Sequence, residues 1–539
     1  MTEVISGRTY ALMLVNAAAA VQNHKNEIND LNVFPVPDGD TGTNMSLTLS
    51  AAAAVAAASR ETAFGKIAAA VAYELVLKSR GNSGVILSLL FSGLADPIAA
   101  SDAVNAAQFA DWLSAGVTKA YSVVMKPTEG TILTVARLAA AAAKSAAEST
   151  ADVETVLEAA LAAGETALAD TINQNPVLKK AGVIDSGGKG FVYILDAMLR
   201  ALRGETIAAE NIQAEPARES ADFAGYSGED ITFTYCTEFI VSRANTKDVN
   251  AFRAFLDARG DSIVVVDDAE IIKTHVHTND PGEVLTEALT YGAFLTVKIE
   301  NMREQHTAKI VESAPQTDAA PEEKAYGVVA VVAGTGLETV FRELGADRLI
   351  TGGQTMNPST GDIVNAVNAT AAETVFVLPN NSNIIMAAEQ AVPLVSKKIV
   401  VIPTKTVPQG VSALLAFDPD CAADEIAAAM NDAFPKVSTI SVTHAARDSS
   451  FDGRDIKAGQ YLALDDGGMF YCGESFAELT ELLVTRAAAP DFVTIYSGEG
   501  AEPDASAALA AGFSARYPDA EVVAVDGGQP VYMFIVSVE

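Results

Sequence analysis

Two aspartates on a stiff turn are the residues in this sequence best suited to chemistry. Asp38 and Asp40 flank Gly39 in the segment NVFPVPDGDTGTNM, and Pro35 and Pro37 restrict the backbone just before them. Carboxylates this close repel each other, so one of them tends to stay protonated unless a cation lies beside them. Mg²⁺ takes oxygen ligands and usually keeps water or phosphate oxygens in its shell. The turn therefore predicts a magnesium site.

The residues after the turn are small and polar. Thr41, Gly42, Thr43 and Asn44 precede a helix that we expect to begin near Met45. A helix N-terminus offers unpaired N–H groups and the positive end of the helix dipole, and both favour an anion. The pattern predicts a phosphate beside the metal. An ordinary Asp-Gly turn that caps a helix is an equally good explanation of this segment taken alone.

Three further loops, RGNSGVILS, PTEGTILTV and VIDSGGKGF, also place small polar residues just before predicted helices. Taken singly, such loops are explained as structural turns. Taken together, the four loops predict one nucleotide site at one end of a helical barrel. The candidate nucleotide-binding residues in these three loops are Gly81, Asn82, Ser83, Gly84, Thr128, Asp185, Gly187 and Gly188.

The wider pattern divides the chain into three domains. Residues 1–205 carry alanine at helical spacing, which predicts an all-α domain with closely packed helices. Residues 229–305 combine strand and helix patterns and predict a small α/β domain. Residues 326–539 alternate strands and helices throughout, which predicts an α/β domain built on a parallel sheet. Residues 206–228 and 313–324 have the composition of linkers.

The loop sequences resemble those of a known kinase family. PVPDGDTGTNM, RGNSGVILS, PTEGTILTV and VIDSGGKGF are similar to the signature segments of the dihydroxyacetone-kinase L-subunit (DhaL) family. GDSIVVVDDAEIIKTHVHTNDPG, GGQTMNPSTGDIVNAV and IPTKTVPQGVSALLAFDP extend the similarity to the ATP-binding subunit (FakA) family of bacterial fatty acid kinases. The resemblance implies a multidomain chain with a DhaL-like helical barrel, an α/β middle domain and a DegV-like α/β C-terminal domain.

This resemblance implies an ATP-dependent kinase. Its acceptor would be the carboxylate of a fatty acid presented by a separate fatty-acid-binding protein of the FakB/DegV family, and its products would be acyl phosphate and ADP. ATP and Mg²⁺ would bind in the N-terminal domain, and the C-terminal domain would dock the acyl carrier. Because a carboxylic acid with a pKa of ~4–5 is already ionised at neutral pH, no catalytic base is required.

The remaining requirements are positioning and neutralisation of charge at the transferred phosphoryl group. Asp38 and Asp40 are the catalytic candidates, and Arg80 and Lys189 are either helpers or ordinary surface residues. Simpler members of the L-subunit family carry a third aspartate upstream. The matching position here is about Asn32, which offers an oxygen but no charge, so the number of Mg²⁺ ions stays open.

A second metal site is predicted in the middle domain. His275 and His277 are two residues apart, which on a strand places both on one face, and Cys236 lies in another predicted strand. Cysteine and histidine are ligands that Zn²⁺ prefers. The residues alone also fit three scattered side chains with no site between them. The family resemblance implies zinc at these positions, in either a structural or a catalytic role.

Composition limits which classes of partner the chain is expected to bind and which cellular compartment it is expected to occupy. The formal net charge is -33, from 69 acidic and 36 basic residues, so we expect no nucleic acid and no direct membrane insertion. Three cysteines form no disulfide framework, and the N-terminus lacks the pattern of a signal peptide. These features favour the cytoplasm. The family resemblance implies a homodimer.

Two other functions stay open from the sequence. A kinase for a small hydroxy-ketone such as dihydroxyacetone would use the same N-terminal site, but it would not need residues 229–539. A non-enzymatic lipid- or partner-binding scaffold would have lost the kinase site. The intact Asp38, Asp40 and glycine loops argue against such a loss.

Overall fold

A computed structural model gives the architecture in two compact units, one formed by Met1–Ile212 with Glu323–Glu539 and the other by Gln213–Glu322. Asp38 and most of the predicted linkers 206–228 and 313–324 lie outside the described residues. The structure describes residues 2–32, 39–93, 100–124, 127–209, 235–243, 245, 247–267, 271–301, 324–353, 356–445, 448–451, 454–465, 468–487 and 489–539.

The described N-terminal residues are predominantly helical, as the alanine pattern predicted. Two short strands that the sequence did not predict, β1 (Val4–Ser6) and β2 (Ala103–Asn105), pair in antiparallel fashion beside the helices. The helices are α1 (Gly7–Asn23), α2 (Lys25–Leu31), α3 (Thr41–Ala58), α4 (Phe64–Lys78), α5 (Gly81–Phe91), α6 (Ala106–Val123), α7 (Ile132–Ala147), α8 (Val153–Gln174), α9 (Pro176–Ala181) and α10 (Ser186–Leu202).

An aromatic cluster anchors one end of this helical domain. The rings of Tyr10, Phe64 and Trp112 are buried, with centroids 4.8 to 6.2 Å apart, and Phe109 and Phe91 pack against Trp112. Burying each phenylalanine contributes about 1.5–3 kcal/mol. Elsewhere the small alanine side chains let helices approach closely, so the helix ends are held in fixed positions.

The second unit contains a four-stranded antiparallel sheet with two helices. Its strands are β3 (Tyr235–Arg243), β4 (Gly260–Asp267), β5 (Ile271–Thr278) and β6 (Gly292–Asn301), and its helices are α11 (Val249–Asp257) and α12 (Pro281–Leu289). The strand order β4-β5-β3-β6 together with the βαββαβ succession is the split βαβ arrangement of ferredoxin-like domains. Phe239, Phe252 and Val276 lie in its buried core.

The C-terminal part of the first unit begins with a four-stranded parallel sheet in the order β10-β9-β7-β8. The loops at the carboxyl ends of its strands are rich in polar residues. The strands are β7 (Lys324–Val332), β8 (Arg348–Thr351), β9 (Ala372–Leu378) and β10 (Lys398–Val401), and the helices are α13 (Thr335–Glu343), α14 (Thr360–Ala369), α15 (Ile385–Ala391), α16 (Val407–Leu415) and α17 (Ala423–Ala433).

The last part of the chain forms a second sheet, in the order β15-β14-β11-β18-β16-β17, of which β16 and β17 alone run parallel to each other. The prediction that the parallel sheet continues is therefore wrong for this part of the chain. Alternating strands and helices do not determine strand direction when two strands form a hairpin, as β14 and β15 do, and when the last strand inserts between β11 and β16. The strands of this sheet are β11 (Ser438–His444), β14 (Tyr461–Asp465), β15 (Gly468–Gly473), β16 (Phe492–Ser497), β17 (Glu521–Asp526) and β18 (Phe534–Val538), and the helices are α18 (Phe476–Arg486) and α19 (Pro503–Arg516). Strands β12 (Ser449–Phe451) and β13 (Arg454–Ile456) form a separate antiparallel pair.

The helical domain and the parallel sheet share one apolar core. Helix α4 packs on α14 and α5 packs on α15, and one continuous cluster of buried side chains includes Leu75, Leu87, Ile363 and Ala388. The predicted succession of an all-α domain, a small α/β domain and a larger α/β domain is confirmed. Within the described ranges, no helix has the length and apolar character needed to cross a bilayer.

Candidate functional site

Helices α3, α5, α7 and α10 begin at the same end of the helical domain. The Ser186 hydroxyl donates to Thr41 Oγ1 at 3.3 Å, which joins the starts of α10 and α3. A Cβ on Gly187 would lie 3.3 Å from Ile132, so α10 and α7 also begin side by side. A Cβ on Gly84 would lie 2.5 Å from the Thr48 hydroxyl, which places α5 against α3. The positive ends of four helix dipoles therefore point to one region, an arrangement that favours an anion.

Two of these helices begin earlier than expected. Helix α3 begins at Thr41 rather than near Met45, and α5 begins at Gly81 rather than after Gly84. The predicted phosphate contacts therefore form the first helical turns, where backbone N–H groups have no partner within the helix. Small polar residues obscured the starts because they have weak helix propensity and a tertiary contact decides the boundary.

Asn29, which the sequence analysis did not single out, supplies that contact for α3. Its Oδ1 accepts from the backbone N–H groups of Gly42 at 2.8 Å and Thr43 at 3.1 Å, and its Nδ2 donates to the Thr43 hydroxyl at 3.1 Å. Gly42 allows α2 to approach this closely, because a Cβ there would collide with the backbone carbonyl oxygen of Lys25. Asn29 thus caps α3, and no short sequence pattern links it to the helix.

Asp40 precedes α3 as its N-cap residue, yet its carboxylate makes no capping hydrogen bond. The side chain of Asn44 and the Nδ2 of Asn357 donate to it, the latter at 2.5 Å. Burial raises the pKa of the Asp40 carboxyl, and the two amide hydrogen bonds partly offset this effect. In the described part of the chain, no lysine or arginine pairs with this carboxylate. A half-buried carboxylate that meets only neutral donors fits a site that takes a cation.

The loop between β8 and α14 brings Asn357 to this site from the C-terminal domain. Arg80, the N-cap residue of α5, donates from Nη1 to the backbone carbonyl of Asn357 at 2.7 Å, and its Nη2 lies 3.7 Å from Asp362 Oδ2. No pattern in the sequence indicates that this loop reaches Asp40. The Arg80 guanidinium is directed to the C-terminal domain.

The neighbouring loop residues of α5 have different surroundings. Asn82 Nδ2 donates to Asn383 Oδ1 of the C-terminal domain at 3.2 Å, whereas Ser83 is partly exposed in the same first turn. Asn32 lies at the end of α2, and its backbone carbonyl is 3.6 Å from where a Cβ on Gly39 would be. Asn32 is therefore beside the turn that carries Asp40.

The other two loops are built around acidic groups with partners of their own. In the first, Glu129 accepts from Thr134 and from Arg137, each at 2.7 Å, and Thr128 is exposed beside it. In the second, Asp185 caps α10 by accepting from the backbone N–H of Gly188 at 2.7 Å. Burial raises the pKa of the Asp185 carboxyl to about 6, even though backbone hydrogen bonds lower it.

The glycines that follow Asp185 pack α10 against α7. A Cβ on Gly188 would lie 2.9 Å from the side chain of Val135, and Gly187 is similarly close to Ile132. Nearby, Lys189 lies 3.5 Å from Glu27 and 4.7 Å from the centre of the Tyr193 ring. These contacts give the residues structural roles, while their roles in nucleotide binding stay predictions.

In the second unit, the backbone register brings together the three residues predicted to bind zinc. Cys236 of β3 lies directly opposite His277 of β5, and Glu238 lies opposite His275. Alternation along the strands places these four positions on one face of the sheet. At Cys236, His275 and His277 the structure describes the backbone and no side chain. Among the side chains it does describe, no group of three or more His, Cys, Asp or Glu is arranged to hold a metal ion.

The polar loops of the C-terminal domain enclose a cavity of about 240 Å³. Gly353, Asn381 and Lys405 line it from the loops that follow β8, β9 and β10, and Thr439 and Gln529 line it from the second sheet. Crevices at the carboxyl ends of parallel strands are where ligands bind in open α/β sheets. The cavity therefore lies at the ligand-binding edge that this kind of sheet provides.

Comparison with known proteins covers most of the chain. Residues 35–200 match the DAK2 domain, residues 232–309 match the middle domain of FakA-like fatty acid kinase proteins, and residues 327–539 match the C-terminal domain of the same proteins. The chain is 42% identical over 550 residues to Protein YloV of Bacillus subtilis, and the alignment covers 99% of each chain.

Two solved structures resemble separate parts of the chain. A DegV family protein from Corynebacterium glutamicum is 15% identical over 40% of this chain and 96% of its own, with a TM-score of 0.31. The dihydroxyacetone kinase of C. freundii, solved with AMP-PNP and Mg²⁺, is 18% identical over 35% of this chain and 33% of its own, with a TM-score of 0.29.

Proposed function

The chain belongs to the FakA-like family of fatty acid kinase proteins and carries an N-terminal DAK2 domain, and from this premise we propose that it is the ATP-binding subunit of a fatty acid kinase. The reaction transfers the γ-phosphoryl group of ATP to the carboxylate of a fatty acid and gives acyl phosphate and ADP. The observation that carries the proposal is that all three parts of the chain match this family. A kinase for a small hydroxy-ketone has no need of the middle and C-terminal parts.

The nucleotide site of this proposal is the common end of α3, α5, α7 and α10. The helix starts provide a positive potential for the phosphates, and the half-buried Asp40 with its two amide donors is suited to a cation. Asp38 and Asp40, with Asn32 as a further oxygen donor, would hold Mg²⁺. When bound, the ion offsets the charge repulsion between the triphosphate and an anionic acceptor.

The chain's own residues bind and orient the phosphates. The first-turn residues Thr41 and Asn44 stand next to Asp40, and Gly81 keeps α5 close to α3. No residue needs to remove a proton from the acceptor, since a carboxylic acid with a pKa of ~4–5 is ionised at neutral pH. Positioning two anions in line is the main contribution that the protein makes to the rate.

The remaining parts of the chain complete the proposal. Residues 1–205 act as the kinase domain, residues 229–305 hold zinc through Cys236, His275 and His277, and residues 326–539 dock a fatty-acid-binding protein of the DegV family. The protein acts as a homodimer in the cytoplasm. Because the matching family is described as one component of a fatty acid kinase, a second, lipid-carrying component is expected.

The test is an assay of acyl phosphate formation. The purified full chain is incubated with ATP, Mg²⁺ and a long-chain fatty acid, with and without a DegV-family protein from the same organism, and acyl phosphate is trapped with hydroxylamine. We expect ADP and hydroxamate in equal amounts, and only when the fatty-acid-binding protein is present. Turnover of free dihydroxyacetone without the partner would replace this proposal with the small-molecule kinase, and failure to bind any nucleotide would support the scaffold.

A further inference from the structure

The β8–α14 loop of the C-terminal domain is continuous with the nucleotide site of the N-terminal domain. Arg80 and Ser359 form an antiparallel β-bridge, and the backbone N–H of Thr360 donates to the carbonyl of Ser79 at 3.1 Å. The hydroxyls of Ser79 and Thr360 are 2.9 Å apart. These contacts fix the backbone at the loop end, so the adjacent Asn357 is held against α3 and α5.

Asn357 is buried at this junction and contacts residues of both helices. Its Nδ2 donates to Asp40 Oδ2 at 2.5 Å, and its backbone carbonyl accepts from Arg80 Nη1 at 2.7 Å. Gly81 has a φ of +55°, and a Cβ there would lie 3.1 Å from Asn357 Nδ2 and 2.5 Å from Asn44 Nδ2. One amide from another domain therefore lies among Asp40, Asn44 and the first turn of α5.

The chemistry of this side chain suits a positioning role. Asp40 makes no capping bond to α3, so the two amides, Asn44 and Asn357, determine where its oxygens lie. A neutral amide orients a carboxylate without cancelling its charge, whereas a lysine at the same place would take up the charge that a cation needs. The Oδ1 atom of Asn357 is buried beside this carboxylate and has no hydrogen-bond partner among the described residues, so it is an oxygen that a bound ligand could use.

On the basis of the proposed function, we propose that Asn357 is a positioning residue of the nucleotide site. Through it, the seated C-terminal domain holds Asp40 and Arg80 in the arrangement that binds magnesium and nucleotide. Groups that orient metal ligands typically contribute about 10- to 100-fold to metal affinity. The domain proposed to receive the acyl carrier would then also complete the site that binds ATP.

The test compares Asn357→Ala and Asn357→Asp with Gln390→Ala in the full chain. Gln390 is a matched control because its amide also crosses between the two domains, where it donates to Ser88 at 3.2 Å and accepts from Ser79 at 3.1 Å. Binding of AMP-PNP is titrated by calorimetry at a series of Mg²⁺ concentrations, and thermal unfolding is recorded for each variant without ligand. KM for Mg·ATP and kcat are then measured in the assay of acyl phosphate formation described above.

We expect Asn357→Ala to raise the Mg²⁺ concentration for half-maximal AMP-PNP binding by about 10-fold or more relative to Gln390→Ala. Asn357→Asp, of the same size, sets a second carboxylate beside Asp40, and two adjacent carboxylates attract a cation, so this variant should need less Mg²⁺ than Asn357→Ala. An Mg²⁺ requirement within about twofold of the control for both variants would overturn the proposal.

The two proposals fail separately in this design. A wild-type chain that binds AMP-PNP with Mg²⁺ but forms no acyl phosphate would contradict the proposed function, while the comparison of the Asn357 variants would still decide the positioning role. A wild-type chain whose AMP-PNP binding is absent or independent of Mg²⁺ would contradict both.

Discussion

The nucleotide site of the first unit and the predicted zinc site of the second unit are assembled in different ways. Asp40 is held by Asn357, a residue 317 positions away on another domain. Cys236 and His277 face each other across neighbouring strands of a single sheet. Alternation along a strand, which the sequence carries locally, places His275 and His277 on one face, and the pairing of β3 with β5 then brings Cys236 opposite His277. A site between domains depends on how the domains pack, and no short stretch of sequence carries that information.

The largest expected effect is on the nucleotide site. Asp40→Asn keeps the size of the side chain but removes the charge that fits a cation, so we expect Mg²⁺-dependent nucleotide turnover to fall by about 10³-fold. The measurement is ADP release at saturating ATP and Mg²⁺. Asp170→Asn is the control, because Asp170 is an exposed carboxylate whose hydrogen bonds, within the described residues, come from Asn173 and Gln174 of its own helix.

Asp38→Asn should behave in the same way if both carboxylates share one ion. Thermal unfolding of each variant distinguishes loss of the site from loss of the fold. Turnover within about tenfold of the Asp170→Asn control would show that the metal assignment at this turn is wrong, since an amide oxygen lacks the charge that a carboxylate offers to a divalent cation.

The second prediction concerns the zinc site of the second unit. The purified chain should contain about one equivalent of zinc, and His275→Ala or Cys236→Ser should remove it, because Zn²⁺ needs three or four ligands. Metal content is measured by mass spectrometry after dialysis without chelator. Cys421→Ser, at a free cysteine of the C-terminal domain, is the control and should keep the metal. Wild-type protein isolated without zinc would contradict the assignment of a zinc site to Cys236, His275 and His277.

The features that the sequence predicted are local ones, and the features that it missed depend on contacts between distant segments. The three-part fold and the helix-opening loops were predicted from local patterns, and the zinc candidates Cys236, His275 and His277 from residue type and family resemblance. The structure brings the loops to one end of the helical domain and the backbone of the three candidates onto neighbouring strands. The capping of α3 by Asn29 and the contact of Asn357 with Asp40 were not predicted, since each depends on packing between segments that are distant or not periodic. The direction of the last strands was missed for a related reason, because connections and not strand patterns determine it.

The third prediction examines how tightly the interdomain site is packed. Gly81→Ala combines a left-handed backbone with a clash against Asn44 and Asn357, so we expect it to destabilise the fold by about 2–4 kcal/mol and weaken nucleotide binding. Gly182→Ala is the matched control. Its φ is +70°, but nothing lies within 4 Å of the added Cβ, so it should cost only about 1 kcal/mol. Urea unfolding of both variants measures the difference, and equal losses would mean that α5 is not packed as described.

The smallest expected effect is a change in unfolding free energy with pH, and it distinguishes two aspartates that are both N-cap residues of helices. Asp40 is free of capping bonds, whereas Asp185 is committed to capping α10, and burial raises the pKa of its carboxyl to about 6. In the unfolded chain this pKa is near ~3.9, so the native state holds the proton more tightly and the contribution of Asp185 to stability is largest at low pH. It declines as pH rises through 6. Between pH 5 and 7.5 the decline is about 1 kcal/mol.

Asp185→Asn cannot ionise, and its amide oxygen can still accept from the Gly188 N–H, so the variant should lack this part of the pH dependence. The measurement is the difference in unfolding free energy between wild type and Asp185→Asn at pH 5 and at pH 7.5, without nucleotide. The difference should shift in favour of the variant by about 1 kcal/mol at the higher pH. A difference that does not change with pH would mean that the carboxylate is solvated, and Asp185 would then be available to a ligand in the way that Asp40 is.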